Sequence, residues 1–170
     1  LYNSDRLEFV VIYGRRRVGK TALISEFTKD KDTIFFTGVE TNAKQNLDNF
    51  SRCIMEYNTG IVVNTSFPNF QAALEYVFEL AKNRRIVLVI DEYPYVARAS
   101  KSFASTLQLL IDKNKDNSKL FLILCGSSMS YMEDHVLAYK APLYGRRTAQ
   151  FKIKPFEFCE ACRYLKKLSG

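Results

Sequence analysis

The chain has 170 residues, 47% of them hydrophobic and 25% charged, and its formal net charge is +7 at pH 7. This length and apolar content suit one compact domain with a sizeable core. No apolar run approaches the ~18 residues of a membrane-spanning helix, and the N-terminus lacks the layout of a signal peptide. These features exclude a membrane protein, and a cytoplasmic location is expected.

The first predicted strand, Glu8–Tyr13, is an apolar run that leads directly into a glycine-rich turn. Residues Gly14–Thr21 read GRRRVGKT and fit the pattern G-x-x-x-x-G-K-[ST] of phosphate-binding loops, or P-loops. A helix is predicted over Thr21–Phe27. A strand, a turn of this kind and a helix, in that order, form the structural context in which such a loop binds the phosphates of a nucleotide.

The P-loop positions have distinct expected roles. Gly14 and Gly19 lack a Cβ, which lets the backbone N–H groups face phosphate oxygens. Lys20 would reach the β- and γ-phosphates, and the Thr21 hydroxyl would hold Mg²⁺. The three arginine side chains are expected to point away from the phosphates. The candidate nucleotide-binding residues are Gly14, Arg15, Arg16, Arg17, Val18, Gly19, Lys20, Thr21 and Ala22.

Three amphipathic helices are predicted between the second strand, Thr33–Val39, and the fourth, Leu120–Cys125. Their apolar side chains recur at helical spacing, so we assign them to the core. These side chains are Leu47, Phe50, Ile54 and Tyr57 in the first helix; Phe70, Leu74, Val77, Phe78 and Ala81 in the second; and Phe103, Leu107, Leu110 and Ile111 in the third.

The third strand, Ile86–Ile90, ends in two adjacent acids, Asp91 and Glu92. A continuous apolar strand with carboxylates at its C-terminal end is typical of the Walker B element. Asp91 would bind the water shell of Mg²⁺, and Glu92 would act as the base that activates the attacking water. The alternative is an ordinary acidic turn after a buried strand, which the P-loop makes less favoured.

The fourth strand stops at Gly126, and Ser127 and Ser128 follow it. A hydroxyl at this tip would lie near the γ-phosphate, where it can help to position the attacking water. We assign such a sensor role to one of the two serines, with Ser127 as the candidate catalytic residue. The alternative for either serine is to cap the helix predicted over Ser128–Glu133.

The fifth strand, Thr148–Ile153, completes an alternation of strands and helices that predicts a parallel sheet with right-handed crossovers. One strand intervenes in sequence between the P-loop strand and the Walker B strand. We therefore predict an α/β fold, a three-layer P-loop NTPase whose parallel five-stranded sheet has the order 5-1-4-3-2, with helices on both faces.

Several segments resemble the archaeal-type ATPase family, which is found in archaea and bacteria and is related to AAA and STAND ATPases. The resemblance implies ATP rather than GTP as the ligand, with the P-loop and the two acids in the roles given above. The segments are Phe9–Thr21, Val89–Val96, Cys125–Met129, and Pro142–Thr148 followed by Pro155 and Phe156.

The resemblance also implies a longer protein. Relatives carry an upstream Gly-Arg-Glu type element that helps to hold adenine, and they continue into a winged helix and often a nuclease-like region. The chain opens at Leu1 rather than at methionine. Residues 1–170 are therefore expected to be one P-loop ATPase domain, a fragment without these regions and with an incomplete base site.

Arg146 and Arg147 lie just before the fifth strand. AAA-like relatives often place there an arginine that reaches a γ-phosphate, commonly that of a neighbouring subunit. A guanidinium can donate two parallel hydrogen bonds to phosphate oxygens, so both residues are candidate catalytic residues. A solvated basic loop is the alternative.

The C-terminal end is basic, since residues 140–170 carry eight Lys or Arg and two acids. Such a surface can face nucleic acid, a C-terminal domain or the nucleotide, and a solvated surface is the plain alternative. Cys159 and Cys162 have zinc-like spacing, but they lie in a helix predicted over Phe156–Leu168 without a second ligand pair. We assign no metal or redox role to them and expect reduced thiols.

Two functions remain open. The first is an ATPase that turns over, with Mg²⁺, and couples hydrolysis to motion of a C-terminal domain; Glu92 favours it, because a pure switch could do without a base. The second is a nucleotide-gated switch, DNA-linked or not, with little turnover. A GTPase is less favoured, because Asn114–Asn117 does not complete the N-K-x-D pattern. A homo-oligomer, an intramolecular domain or nucleic acid could be the partner, and a membrane is not expected.

Overall fold

The computed structural model of the chain describes residues 1–155. The helix predicted over residues 156–168, with Cys159 and Cys162, lies outside the described residues. The strands are β1 (Glu8–Tyr13), β2 (Thr33–Thr37), β3 (Ile86–Asp91), β4 (Leu120–Gly126) and β5 (Ala149–Lys152). The α-helices are α1 (Lys20–Thr28), α2 (Ala43–Thr59), α3 (Phe70–Leu80), α4 (Tyr93–Ala99), α5 (Phe103–Asn114) and α6 (Met129–Met132), and a short π-helix (Glu133–Leu137) follows α6.

The five strands form one sheet in the order β2-β3-β4-β1-β5, and every strand pair is parallel. This is the predicted order, read from the opposite edge. In the register of the sheet, Tyr13 lies opposite Gly126, and Ile90 lies opposite Leu124. The C-terminal ends of β1, β3 and β4 therefore meet at one edge, where the P-loop, the two acids and the two serines all follow.

The three central strands are buried along their whole length, which is why they read as uninterrupted apolar runs. The larger core lies on one face under α2, α3 and α5, and it contains the apolar side chains predicted for these helices, with Leu47 and Tyr57 packed at its margin. On the other face, α1 contributes Ile24 to a smaller apolar cluster. Helices on both faces make the three-layer arrangement that was predicted.

Polar side chains set the ends of several elements. Asn42 and Asn69 cap α2 and α3, since their side chains accept hydrogen bonds from backbone amides at 2.8 Å. The Val39 amide donates to the side chain of Asn46 at 3.0 Å instead of to a strand. As a result, β2 ends at Thr37, two residues before the predicted boundary.

Arg85, just before β3, ties the N-terminal segment to the sheet. Its guanidinium donates to the carbonyl oxygens of Tyr2 (2.9 Å), Arg6 (2.7 Å) and Lys119 (2.8 Å). Hydrogen bonds from a charged donor contribute about 1.5–3 kcal/mol each, and partial exposure reduces that value here. We expect Arg85→Ala to lower the free energy of unfolding by about 2–3 kcal/mol in urea denaturation.

The neighbouring Arg84 is a matched control, because it is exposed and its guanidinium lies over the Tyr57 ring, 5.6 Å from the centroid. Arg84→Ala should lower the free energy of unfolding by about 1 kcal/mol or less. Equal losses for the two variants would contradict the role given to Arg85.

Candidate functional site

The P-loop connects β1 to α1 and requires glycine at both of its ends. A Cβ on Gly14 would overlap the carbonyl oxygen of Ile153, which follows the neighbouring strand β5. Gly19 has a φ of 93°, in the left-handed region that favours glycine. Arg17 has a φ of 62°, which is uncommon for a residue with a side chain. The loop therefore has the tight, irregular backbone that a phosphate-binding turn needs.

Lys20 is the first residue of α1, and only 6% of it is exposed. Its ammonium donates to the carbonyl oxygen of Arg15 at 2.6 Å, so it lies across the loop. Within residues 1–155, no carboxylate lies within the 4.0 Å ion-pair distance of this nitrogen. A buried charge is normally paired. An ammonium without an acidic partner, beside the start of a helix, favours the binding of an anion.

Thr21 and Asp91 meet across the sheet edge. The Thr21 hydroxyl donates to Oδ2 of Asp91 at 2.8 Å, and Oδ1 of Asp91 accepts the Glu92 amide at 2.9 Å. Asp91 is 2% exposed. Among residues 1–155, no cluster of three or more His, Cys, Asp or Glu could hold a metal ion by itself. One hydroxyl and one carboxylate instead fit Mg²⁺, which is usually bound by one or two protein oxygens together with substrate phosphates.

Glu92 lies in the turn between β3 and α4 and has a left-handed backbone, with φ 50° and ψ 42°. Residues held in this region cluster at functional sites. The Ser127 hydroxyl, at the tip of β4, lies 3.1 Å from Oε1 and 3.0 Å from Oε2 of Glu92. The tips of β3 and β4 therefore bring the predicted base and the predicted sensor into direct contact.

The structure distinguishes the two serines. Ser128 occupies the N-cap position of α6, but its side chain makes no capping hydrogen bond. Its Oγ instead accepts a long hydrogen bond of 3.5 Å from Arg98. Ser127 contacts Glu92, whereas the Ser128 side chain does not cap α6, so the capping alternative does not hold for Ser128.

A cavity of about 210 Å³ lies over the P-loop. A second cavity of about 90 Å³ lies beside it, toward α4 and the tip of β4. The first is lined by Arg16, Arg17, Gly19, Lys20, Thr21, Ala22 and Glu92. The second is lined by Arg16, Glu92, Pro94, Tyr95, Arg98, Ser127 and Ser128. They share Arg16 and Glu92, so the two cavities adjoin.

The other P-loop residues that were predicted to bind nucleotide line neither cavity with their side chains. Arg15 contributes its carbonyl to Lys20, Gly14 lies against Ile153, and Val18 is half-buried. Arg16 was expected to point away from the phosphates, and its guanidinium does donate to the Tyr95 hydroxyl at 2.7 Å, yet it also lines both cavities.

Sequence reasoning missed Tyr95 and Arg98. Both lie on α4, three residues apart, directly after the acidic pair. Residues three apart share one face of a helix. That spacing, together with the position after Asp91 and Glu92, was the signal that could have placed them beside the site.

The structure does not bring Arg146 or Arg147 to this site. Arg146 forms a two-point ion pair with Asp112, at 2.8 Å and 2.7 Å, and the guanidinium of Arg147 lies 5.8 Å from the centre of the Tyr144 ring. The next residue, Thr148, bonds to Phe9 near the start of β1, whereas the P-loop follows the end of β1. At ~3.3 Å per residue, β1 separates these two positions by roughly 15–20 Å.

Arg146 and Arg147 therefore lie away from the P-loop of the same chain, because their loop packs at the opposite end of β1. Their action on the nucleotide of a neighbouring chain stays a prediction. The Arg146 guanidinium also lowers the pKa of the Asp112 carboxyl through this hydrogen bond.

Cys125, near the end of β4, is fully buried beside the acidic pair. Burial raises the pKa of its thiol, and the negative charge of Asp91 raises it further. Burial likewise raises the pKa of the Cys53 thiol. Both residues are free cysteines with protonated thiols, which suits packing rather than nucleophilic chemistry.

Among residues 1–155, no helix has the length and apolar character needed to cross a membrane.

Other proteins are similar to this chain in sequence or in fold. An uncharacterised protein of Methanocaldococcus jannaschii is 36% identical over 156 residues, which is 92% of this chain and 33% of that protein. The Walker-type ATPase of Pyrococcus abyssi has a similar structure, with a TM-score of 0.64 and 22% identity over 94% of this chain and 52% of that chain. The ORC2 protein of Aeropyrum pernix, solved as ADPNP and ADP complexes, gives a TM-score of 0.66 at 16% identity, over 94% of this chain and 45% of that chain.

The chain thus spans about a third of the curated relative and about half of each similar structure. The structural likenesses, at these low identities, show a shared P-loop NTPase fold. The family model that describes an ATPase domain predominantly from Archaea matches residues 1–170, the whole chain. The protein belongs to this family of ATPase domains.

Proposed function

We propose that the chain binds Mg-ATP at the P-loop and hydrolyses it to ADP and inorganic phosphate. The observation that carries the proposal is the convergence of three features on adjoining cavities. These are a buried ammonium at Lys20 with no acidic partner among residues 1–155, a hydroxyl–carboxylate pair at Thr21 and Asp91, and a second carboxylate at Glu92. Anion binding, metal binding and proton abstraction are the three tasks that ATP hydrolysis requires.

The amides of the P-loop and the Lys20 ammonium bind the β- and γ-phosphates in this proposal. Thr21 and Asp91 would hold Mg²⁺, which when bound neutralises charge on the phosphate oxygens. Glu92 accepts a proton from water as the water oxygen bonds to the γ-phosphorus, and the bond from that phosphorus to the β–γ bridging oxygen breaks. Ser127 holds the Glu92 carboxylate at the cavity wall and so positions the base.

An apolar groove of about 530 Å³ runs beside α1 and supports the choice of a purine nucleotide. Leu23 and Ile24, which line it, directly follow Ala22, which lines the phosphate cavity. The flat face of adenine would fit against these side chains, and the groove also includes residues 1–3 of the chain.

A nucleotide-gated switch is the second candidate, and one observation favours it. Both oxygens of the Glu92 carboxylate lie within hydrogen-bond distance of the Ser127 hydroxyl, and a base held in this way can be inactive until nucleotide rearranges it. In the whole protein, a C-terminal domain or another subunit would receive the conformational change. DNA is a further candidate partner, since a structurally similar Drosophila ORC is described as bound to DNA.

The nucleotide claim is tested by titrating Mg-ATP and Mg-GTP into wild type and Lys20→Ala. We expect wild type to prefer ATP and Lys20→Ala to lose about tenfold or more in ATP affinity, because a desolvated ammonium–phosphate contact contributes more than ~1.4 kcal/mol.

Lys29→Ala is the matched control, since Lys29 follows the same helix and its side chain is 74% exposed. Its affinity for ATP should equal that of wild type. Equal binding by wild type and Lys20→Ala would remove the P-loop from the proposal.

A further inference from the structure

The smaller cavity, between α4 and the tip of β4, contains groups that the proposed hydrolysis does not use. Its volume of about 90 Å³ is far below the ~300 Å³ of the smallest pockets for drug-sized ligands, so it suits a small ion rather than a nucleotide. Its charged side chains are two guanidiniums, Arg16 and Arg98, and one carboxylate, Glu92. Three hydroxyls, of Tyr95, Ser127 and Ser128, complete the polar lining.

Each guanidinium is held in place by a tyrosine. Arg16 donates to the hydroxyl of Tyr95 at 2.7 Å, and the guanidinium of Arg98 lies over the ring of Tyr131, 4.7 Å from its centroid. Two long, flexible side chains are thereby directed toward one cavity. Such preorganisation lowers the entropic cost of binding a ligand between them.

Neither charge is neutralised within the described part of the chain. No carboxylate of residues 1–155 lies within 4.0 Å of the guanidinium nitrogens of Arg16 or Arg98. Arg146 differs, because Asp112 occupies two of its nitrogens. Two unpaired guanidiniums beside hydroxyl donors form the donor set that binds a tetrahedral oxyanion, with two parallel hydrogen bonds from each arginine.

The position of the cavity indicates which oxyanion it receives. It shares Arg16 and Glu92 with the phosphate cavity over the P-loop, so it adjoins the γ-phosphate end of the proposed ATP site. We propose that Arg16 and Arg98 form a binding site for inorganic phosphate, the product cleaved from ATP, before it leaves the protein. This inference rests on the proposed ATP hydrolysis.

Ser127 links the site to the proposed base. Its hydroxyl, placed equally near both Glu92 oxygens, can donate to a phosphate oxygen or to the carboxylate, but not to both.

The test is a calorimetric titration of inorganic phosphate into the chain saturated with Mg-ADP. We expect Arg98→Gln to weaken phosphate binding about tenfold, because it removes a charged two-point contact. Arg98→Lys keeps the charge without the planar fork, so its affinity for phosphate should lie between those of wild type and Arg98→Gln. Arg84→Gln is the matched control and should bind phosphate as wild type does, since that arginine is exposed and lines neither cavity.

A second measurement separates this site from the ATP site. Mg-ATP affinity, measured in a Glu92→Gln background to prevent turnover, should be unchanged by Arg98→Gln. Urea denaturation of each variant establishes that it is folded. Absence of phosphate binding by wild type, or equal binding by wild type and Arg98→Gln, would overturn the proposal even where ATP binds normally. Should ADP itself fail to bind, the proposed function fails, and the same variants titrated with phosphate alone still decide whether the two arginines bind it.

Discussion

Glu92→Gln should lower ATP turnover about a hundredfold or more, while ATP affinity stays within about threefold of wild type. General base catalysis contributes about 10²–10⁴-fold to rate, and an amide cannot accept the proton of the attacking water. The glutamine keeps the size of the side chain and can still accept the Ser127 hydrogen bond, so the cavity should keep its shape. Turnover is measured by phosphate release and affinity by calorimetry, on the same preparation.

Glu26→Gln on α1 is the matched control, because that carboxylate is 77% exposed in its side chain and lies outside both cavities. It should turn over ATP as wild type does. If Glu92→Gln retained wild-type turnover, Glu92 would not be the base. Tight ATP binding with negligible turnover in wild type itself would instead support the nucleotide-gated switch.

Asp91→Asn should lower turnover by about a hundredfold or more and should also remove most of the effect of Mg²⁺ on ATP affinity. The hydrogen bond from Thr21 can survive, since an amide oxygen still accepts it. The negative charge beside the proposed metal is lost, and a carboxylate attracts a hard divalent cation more strongly than a neutral amide oxygen does. The measurement is ATP affinity with Mg²⁺ and with EDTA, for wild type and variant.

In wild type, chelation should weaken ATP binding clearly, whereas Asp91→Asn should give nearly the same affinity in both conditions. Asp116→Asn, at an exposed position after α5, should respond to EDTA as wild type does. A full Mg²⁺ response in Asp91→Asn would mean that the metal is held by other groups, and the Walker B assignment of Asp91 would be wrong.

The P-loop and the acidic pair could be recognised in the sequence because each motif depends on short-range order along the chain. Gly14, Gly19, Lys20 and Thr21 lie within eight residues, and their backbone follows from one strand–turn–helix unit. The apolar runs of the central strands predicted the sheet for a similar reason, since a parallel strand covered on both faces must be apolar throughout. These features needed no information about which distant residues would meet.

The contacts between elements could not be predicted in this way. Ser127 meets Glu92 across 35 positions of sequence, and nothing in Gly126-Ser127-Ser128 distinguishes the two hydroxyls until the twist and register of β3 and β4 are known. Arg146 carries the same signal as a γ-phosphate arginine in the sequence, yet its loop packs by α5 and pairs with Asp112. A long charged side chain takes whichever partner packing brings within reach.

By itself, the sequence determined the fold class and the strand order, and it identified Lys20, Thr21, Asp91 and Glu92 as candidate site residues, because local pattern and chain order constrain them. Only the tertiary structure decided that Ser127 holds Glu92, that Arg98 lies beside it and that Arg146 does not. The physical reason is that packing between elements positions the loop and helix side chains at a sheet edge. The spacing of residues along the chain does not predict that packing.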